Sequence, residues 1–421
     1  MKKPVQTKRL VVFLSNFPYG FSEPYFGTEL PYLAKHFDQI SLVPADLAPS
    51  ISTEKLSFDL PENARVEEWK VKQFSKFNGL EIFKMLLSPI FRQELWNLVF
   101  KFKPNSRSLA LKTCVSSWLR AMSFAEHLAQ TNLVSGLNEN VVLYSYWCTD
   151  LSLAMAMLKE QGFTQTMITR IHAWDLYFDR DPSGYLPFRS FIFSKLDGVY
   201  PISEKGRNYL LETLGSEFGP QLRVARLGTE PLQSKPYVRE AKILRILSIS
   251  KIIPLKRLDL LIESLGIAQR SISIVWHHLG GDDAQTKALA ESKLKGVDFT
   301  FFAFQGKVRY YQQLEENTYD LFINLSTKEG LPVSMMECMS LGIPVLATDV
   351  GAVSEIVDHE KNGWLISVDS DAKSIAEKIC SIALLTEEEM QQTRQAAYLK
   401  WDSNFNSIRN YSDFSEKLLK F

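Results

Sequence analysis

Short apolar runs and stretches of helical spacing alternate along almost the whole chain. In the first half, apolar runs that read as buried strands fall at 10–14, 40–44, 141–146, 167–171, 198–202 and 222–225. In the second half they fall at 243–249, 272–277, 299–304, 321–325, 345–348 and 364–368. Helical spacing marks 29–36, then 258–268, 283–293, 310–317, 333–341, 353–358 and 372–383, with an amphipathic helix over 401–421. Strands that alternate with helices predict parallel sheets in a doubly wound α/β fold. A polar stretch at 228–241, holding Pro231 and Pro236, reads as an interdomain linker. There is no internal repeat and no low-complexity tract.

Composition narrows the class. The 421 residues suffice for two domains of about 200 residues each. Hydrophobic residues make up 45% and charged residues 23%, as in an ordinary soluble globular protein. Lys plus Arg equals Asp plus Glu, so no general affinity for polyanions is implied and nucleic acid is not expected as a partner. The four cysteines, Cys114, Cys148, Cys338 and Cys380, lie far apart without metal-ligand spacing and fit a reducing compartment. The run at 10–14 is too short for a signal peptide, and no run approaches the roughly 18 apolar residues of a membrane span. The expected location is cytoplasmic, with the inner face of a membrane as an alternative resting place.

The chemistry concentrates at 328–345, KEGLPVSMMECMSLGIPV. Glu337 is the only charge between Val333 and Ile343, so it sits in a helix that reads as buried, where an ionised carboxylate needs a partner. Glu329 lies eight positions earlier, and Pro332 marks the helix start. Backbone amides and the positive dipole end at such a start favour an anion. One acid at the mouth and one inside suit a ligand carrying both phosphate and hydroxyl groups. The plainer alternative is a core helix with one acid paired to a distant Lys. After the strand at 243–249, SKIIPLKR places Lys251 and Lys256 around Pro254, where two cations could hold a diphosphate or simply lie solvated. Gly280 and Gly281 end another strand and permit close backbone approach. His277 and His278 beside them read as packing residues.

The pattern EGLPVSMMECMSLGIPV, followed by ATDVGAVSEIV and NGWLI, resembles the donor-binding signature of glycosyltransferase family 4. The resemblance is dense in the second half and weaker over most of the rest. It implies the GT-B architecture, two Rossmann-like doubly wound domains facing a cleft. These would be 1–230 on the acceptor side and 240–398 on the nucleotide-sugar side, with 399–421 crossing back to the first. It implies a retaining, metal-independent hexosyltransferase using a nucleotide-sugar co-substrate and no cofactor. The donor would be held by Lys251, Lys256, Gly280, Gly281, Glu329, Gly330, Leu331, Val333 and Glu337. Glu337 would take the ribose diol, Glu329 the donor sugar or the developing positive charge, and Lys256 the diphosphate. Lys251 stands where the family usually has Arg, which loses the bidentate fork.

In the first half, RIHAWD places His172 at the end of a strand, with Asp175 three residues on. A lone His is usually structural, but the segment resembles the family's loop whose His contacts the donor sugar. Trp147 and Asp150 in YSYWCTD could line an acceptor cleft, with core packing as the alternative for Trp147. Asp175 could bind acceptor hydroxyls or cap a turn. Glu23 follows Ser22, where the matching family loop has Gly-Glu. Two Asp-x-Asp matches, Asp179–Asp181 and Asp369–Asp371, are assigned no metal, and the second reads as a helix cap.

One region departs from the even charge. Residues 70–120 carry ten Lys and Arg against Glu81 and Glu94, interleaved with large apolar residues such as Phe83, Leu87, Trp96 and Phe100. This predicts a basic helical insertion that either packs inside the first domain or rests on an anionic membrane. The family resemblance implies transfer of a sugar to a glycan acceptor, lipid-linked, in cell-surface polysaccharide biosynthesis. A GT-B-shaped sugar-nucleotide epimerase and a catalytically silent sugar-nucleotide-binding subunit are the alternatives. An NAD-dependent oxidoreductase is disfavoured because no G-x-G-x-x-G follows the first strand.

Overall fold

The structure, a computed structural model, describes residues 8–20, 23–47, 51–53, 56–68, 79–133, 141–233, 235–240, 243–303 and 306–421. Ser22, Lys70, Lys72 and Lys76 lie outside the described residues. The chain divides into two compact units, 1–226 together with 410–421, and 227–409.

The first unit holds β1 (Arg9–Leu14), α1 (Pro24–Ala34), β2 (Gln39–Pro44), β3 (Ala64–Val66), α2 (Gly79–Leu87), α3 (Pro89–Trp96), α4 (Arg107–Gln130), β4 (Val141–Ser145), α5 (Asp150–Glu160), β5 (Thr166–Ile171), α6 (Arg189–Lys195), β6 (Gly198–Pro201) and α7 (Glu204–Leu214). A π-helical turn, Asn97–Lys101, continues α3. The strands form one parallel sheet in the order β3-β2-β1-β4-β5-β6. Both faces of β1 are buried, as an apolar run in a parallel sheet requires. Val11 and Phe13 enter one core. Leu10, Val12 and Leu14 enter the other, where Phe414 and Leu418 from the chain terminus join them.

The second unit holds β7 (Ile243–Ile249), α8 (Leu258–Ala268), β8 (Ser273–Leu279), α9 (Ala284–Lys293), β9 (Val297–Phe302), α10 (Lys307–Glu316), β10 (Leu321–Asn324), α11 (Val333–Ser340), β11 (Val345–Thr348), α12 (Val353–Ile356), β12 (Gly363–Ile366), α13 (Ala372–Ala383) and α14 (Glu387–Asn404). Its parallel sheet runs β12-β11-β10-β7-β8-β9. Helix α15 (Ser407–Leu418) follows.

Both sheets start in the middle and reverse direction once, between β1 and β4 in the first and between β7 and β10 in the second. The carboxyl ends of two adjacent strands whose chains leave in opposite directions form a natural crevice, where ligands of open α/β sheets bind.

Three expectations are corrected. Residues 222–225 form no strand: Leu222 makes an isolated bridge to Val199, and Arg223 and Ala225 donate to the carbonyls of Val199 and Pro201. Strand β3 escaped a reading based on apolar runs, because its three residues include an exposed Arg65. The terminal stretch is two helices, because Asn406 turns its side-chain oxygen to the Ile408 amide at 3.0 Å and caps a new start.

Candidate active site

In the second unit the switch point brings together the loops that follow β7 and β10. The β7 loop makes a short 3₁₀ turn, Pro254–Lys256, and places Arg257 in the left-handed region at φ 47°. The Arg257 guanidinium donates to the Leu325 carbonyl at 2.6 Å and the Val368 carbonyl at 2.7 Å. That clip fixes the turn over the sheet end. Lys256 Nζ then meets Glu329 Oε1 at 2.6 Å. Asn324, the last residue of β10, donates to the same oxygen at 3.1 Å. Glu329 is buried, and Lys256 is partly buried. Behind the pair, Ser248, Ser250, Lys256, Asn324 and Ser326 border a shallow indentation. Lys251 lies exposed in the same loop.

The Glu329 loop leads into α11, whose N-cap is Pro332, and Leu331 and Val333 are buried there. What these two can present to a ligand is therefore backbone. Gly351 braces the loop from behind: its φ is +56°, and a Cβ there would overlap the Glu329 carbonyl. The neighbouring Ala352 amide donates to the Gly330 carbonyl at 3.0 Å. A Gly351→Ala variant is expected to push Glu329 off Lys256. Melting temperature should fall, with a stability loss of about 1–3 kcal/mol.

Glu337 is buried one turn further along α11. Tyr310 donates to Oε2 at 2.6 Å and Tyr311 to Oε1 at 3.1 Å, both from α10. Tyr310 also borders a shallow indentation with Gly280, Phe302 and Arg309. Gly280 has φ +122°, and a Cβ there would overlap the Ser250 carbonyl. Its first task is thus to seat the Lys251 loop. Gly281 packs against the Ile252 side chain, where a Cβ would come within 3.0 Å. His278 shares a hydrogen bond with Ser248 at 2.9 Å and His277 one with Tyr319 at 2.9 Å, both packing roles.

In the first unit the switch point joins the loops after β1 and β4. Glu23 accepts from the amides of Ser15, Asn16 and Phe17 at 2.8–2.9 Å and from the Trp147 indole at 2.6 Å. It clamps one loop to the other. The Trp147 ring lies 4.2 Å from His172 and 5.3 Å from Trp174, which is half exposed. Asp175 accepts from the His172 amide at 2.7 Å and the Cys148 amide at 2.8 Å, so it ties β4 to β5. Asp150, in the first turn of α5, is ion-paired with Arg120 of α4. Trp147, Asp150, Arg120, Trp174 and Arg189 line a cleft of about 300 Å3 contained in this unit.

His172 is 6% exposed, yet neither ring nitrogen has a hydrogen-bond partner. Burial, then the Arg170 guanidinium, hold its pKa well below the usual range, so the ring is neutral. Buried unpaired polar atoms are rare in folded proteins and point to a missing partner. Burial pushes Asp175 up to about 6, against the opposing pull of its amide donors. A raised folded-state pKa contributes stability that is complete below 3.8 and is lost as pH rises through about 6. Asp175→Asn leaves one amide without an acceptor, at about 1–3 kcal/mol. Its deficit in melting temperature against the native chain should be wider at pH 5 than at pH 7.5; an equal gap would mean that Asp175 does not titrate there.

Of the Asp-x-Asp matches, Asp371 caps α13 through the Ser374 amide at 2.8 Å, and Asp181 accepts from the Ser183 amide at 2.8 Å. Among the described residues no group of His, Cys, Asp and Glu is arranged to hold a metal ion.

The structure thus gathers Lys256, Glu329, Gly330 and Glu337 around α11, and Glu23, Trp147, His172 and Asp175 around β4. Sequence reasoning passed over Asn324, Tyr310, Tyr311, Arg257 as a clip, and Gly351. Only Gly351 carried a signal, a glycine just past a strand.

Comparison with known proteins fits this picture. Residues 231–400 match the family described as Glycosyl transferases group 1. The amylovoran biosynthesis glycosyltransferase AmsK of Erwinia amylovora is 27% identical over 238 residues, 54% of this chain and 57% of that one. The chain therefore matches little more than half the length of that relative. Among solved structures, sucrose-phosphate synthase of Thermosynechococcus elongatus aligns with a TM-score of 0.68 at 14% identity, over 98% of both chains. Anabaena Alr3699/HepE, solved with UDP and glucose, aligns with a TM-score of 0.61 at 15% identity, over 99% of this chain and 100% of that one. At such identities the likeness speaks for the fold alone, and the two doubly wound units are of the GT-B class.

Proposed function

We propose that this chain is a glycosyltransferase. It moves a hexosyl group from a nucleoside diphosphate sugar to a glycan acceptor, lipid-linked, in the building of a cell-surface polysaccharide. The observation that carries the reading is the Lys256–Glu329 pair at 2.6 Å, set at the switch point of the second sheet and at the mouth of α11. A cation and a helix N-terminus at one crevice suit a diphosphate that gains charge as its bond to the sugar breaks. Lys256 and the first-turn amides of α11 take that charge, and Lys251 adds a second cation at the loop edge. Glu329 faces the sugar, whose anomeric carbon becomes positive. Glu337 accepts from the ribose hydroxyls. In the first unit, Trp174 and Trp147 offer an aromatic platform for an acceptor ring, Asp150 accepts from its hydroxyls, and neutral His172 bonds a sugar hydroxyl.

The reaction on this reading retains anomeric configuration and needs no metal. Incubation with UDP-, GDP- and ADP-sugars tests it. Transfer, or slow hydrolysis without acceptor that survives EDTA, supports it. Exchange of sugar isomers would instead mean an epimerase. Binding without any turnover would mean a silent subunit, and loss of activity with EDTA would overturn the lysine and helix account.

A further inference from the structure

The first unit carries a surface that the transfer reading does not use. Helix α2 has the apolar spacing of a buried helix, but it is inside out: Met85 is its only buried residue, while Leu80, Phe83 and Leu87 share one face at 57–61% exposure. α2 packs against α3 and α4, and the π-helical turn packs against the same two helices. The exposed residues of all these elements therefore belong to one ridge. Trp96 and Phe100, one turn apart with ring centres at 5.6 Å, extend it, and Phe100 is 72% exposed. Solvated aromatic and aliphatic side chains at this density mark an interaction site.

Charge identifies the partner. Over 79–112 the same ridge carries Lys84, Arg92, Lys101, Lys103, Arg107 and Lys112, all exposed. The acids there are Glu81 and Glu94, and Glu94 is buried, accepting from the Tyr185 hydroxyl at 2.8 Å. A protein partner of ordinary composition would meet this surface with mixed charge. Large apolar side chains ringed by exposed cations instead match the boundary between anionic headgroups and acyl chains. The expectation that this region packs inside its domain holds for Met85, Phe91 and Leu98, with Ile90 and Leu95 packed against the same core, and fails for Leu80, Phe83, Leu87, Trp96 and Phe100.

We infer that the ridge formed by α2, α3, the π-helical turn and the start of α4 is a docking surface for an anionic lipid bilayer. Leu80, Phe83, Leu87, Trp96 and Phe100 enter the acyl boundary, and the cations rest on the headgroups. This goes beyond the transfer reading and does not rest on it. Among the described residues no helix is long and apolar enough to cross a membrane, so the contact is interfacial.

The test is co-sedimentation of the full chain with vesicles of phosphatidylcholine and phosphatidylglycerol at 7:3, with pure phosphatidylcholine as comparison. Binding to the anionic vesicles should exceed binding to the neutral ones and weaken as salt rises. Lys84→Glu with Arg92→Glu should reduce the partition coefficient at least about 25-fold, at about five-fold per lost cation. Phe83→Ser with Leu87→Ser should reduce it about 100-fold, and neither pair should lower the melting temperature because all four side chains are exposed. Trp96 gives a second readout: brominated lipid should quench native fluorescence more than that of Trp96→Phe. No sedimentation of folded native chain with anionic vesicles at low salt would overturn the proposal. So would a concentration-dependent dimer, dissolved by Phe83→Ser with Leu87→Ser, in a chain that ignores vesicles. Donor hydrolysis measured in parallel separates the two readings. Vesicle binding without turnover would defeat only the transferase reading, and turnover without vesicle binding only the docking surface.

Discussion

Replacing Lys256 with alanine is expected to lower turnover by about 10²–10³-fold while nucleotide affinity changes far less. Removal of one preorganised group facing charge that develops in the transition state typically has this effect. Lys256 is well placed for it: the Arg257 clip and the bond to Glu329 fix it before any ligand arrives. The loss is partly one of position. Without Lys256 the Glu329 carboxylate keeps the Asn324 amide but loses its charged partner, and it is 8% exposed. A partly buried carboxylate stripped of its cation tends to shift or take up a proton. Lys256→Arg should restore little, because a planar fork cannot replace a compact ammonium in the same turn. Steady-state rates with saturating donor, set beside nucleotide dissociation constants from calorimetry, check this. A variant that loses affinity and keeps its turnover would make Lys256 a binding residue only.

Glu337→Ala is expected to do the reverse. Two hydrogen bonds from a sugar diol to a carboxylate are each worth about 1.5–3 kcal/mol, so the free nucleotide should bind about 10²-fold more weakly or worse. Stability should fall by about 1–3 kcal/mol as well, because the hydroxyls of Tyr310 and Tyr311 lose a shared acceptor inside the unit. Glu337→Gln separates the two effects. The glutamine oxygen still accepts from one tyrosine, so most stability should return, whereas affinity should stay low. Native affinity in Glu337→Ala would remove the acid from the nucleotide site and leave it as the anchor of α10.

The parts that could be read ahead of the structure were those written in local pattern. Strand β7 and helices α8 and α13 begin and end where their apolar periodicity does. Pro332 and Gly342 bracket α11 because one fixes φ at a helix start and the other supplies a positive φ at its end. Thr386 and Glu389 form a capping box that opens α14, a signal present in the sequence and left unused. What stayed hidden depends on pairing between distant segments. Nothing near Glu337 announces Tyr310 and Tyr311, which lie 27 and 26 positions away on another helix. Asn324 looks like an ordinary strand end until the β10 loop folds back on it. The ridge of α2 was the opposite case. Its composition was plain, but whether its apolar face turned in or out rests on how α2 sits on α3 and α4.

The clamp made by Glu23 has a bearing on how the first unit meets a ligand. By bonding three loop amides and the Trp147 indole at once, it removes rotational freedom from Trp147 and, through ring contact, from His172. Immobilising a side chain of this size on binding would weaken association by about 0.5–1.5 kcal/mol for each one. Here that ordering is completed when the chain folds. On the proposed reading, a sugar arriving at Trp147 meets rings that already hold their final orientation, so its affinity reflects contact rather than the disorder that contact would otherwise have to suppress.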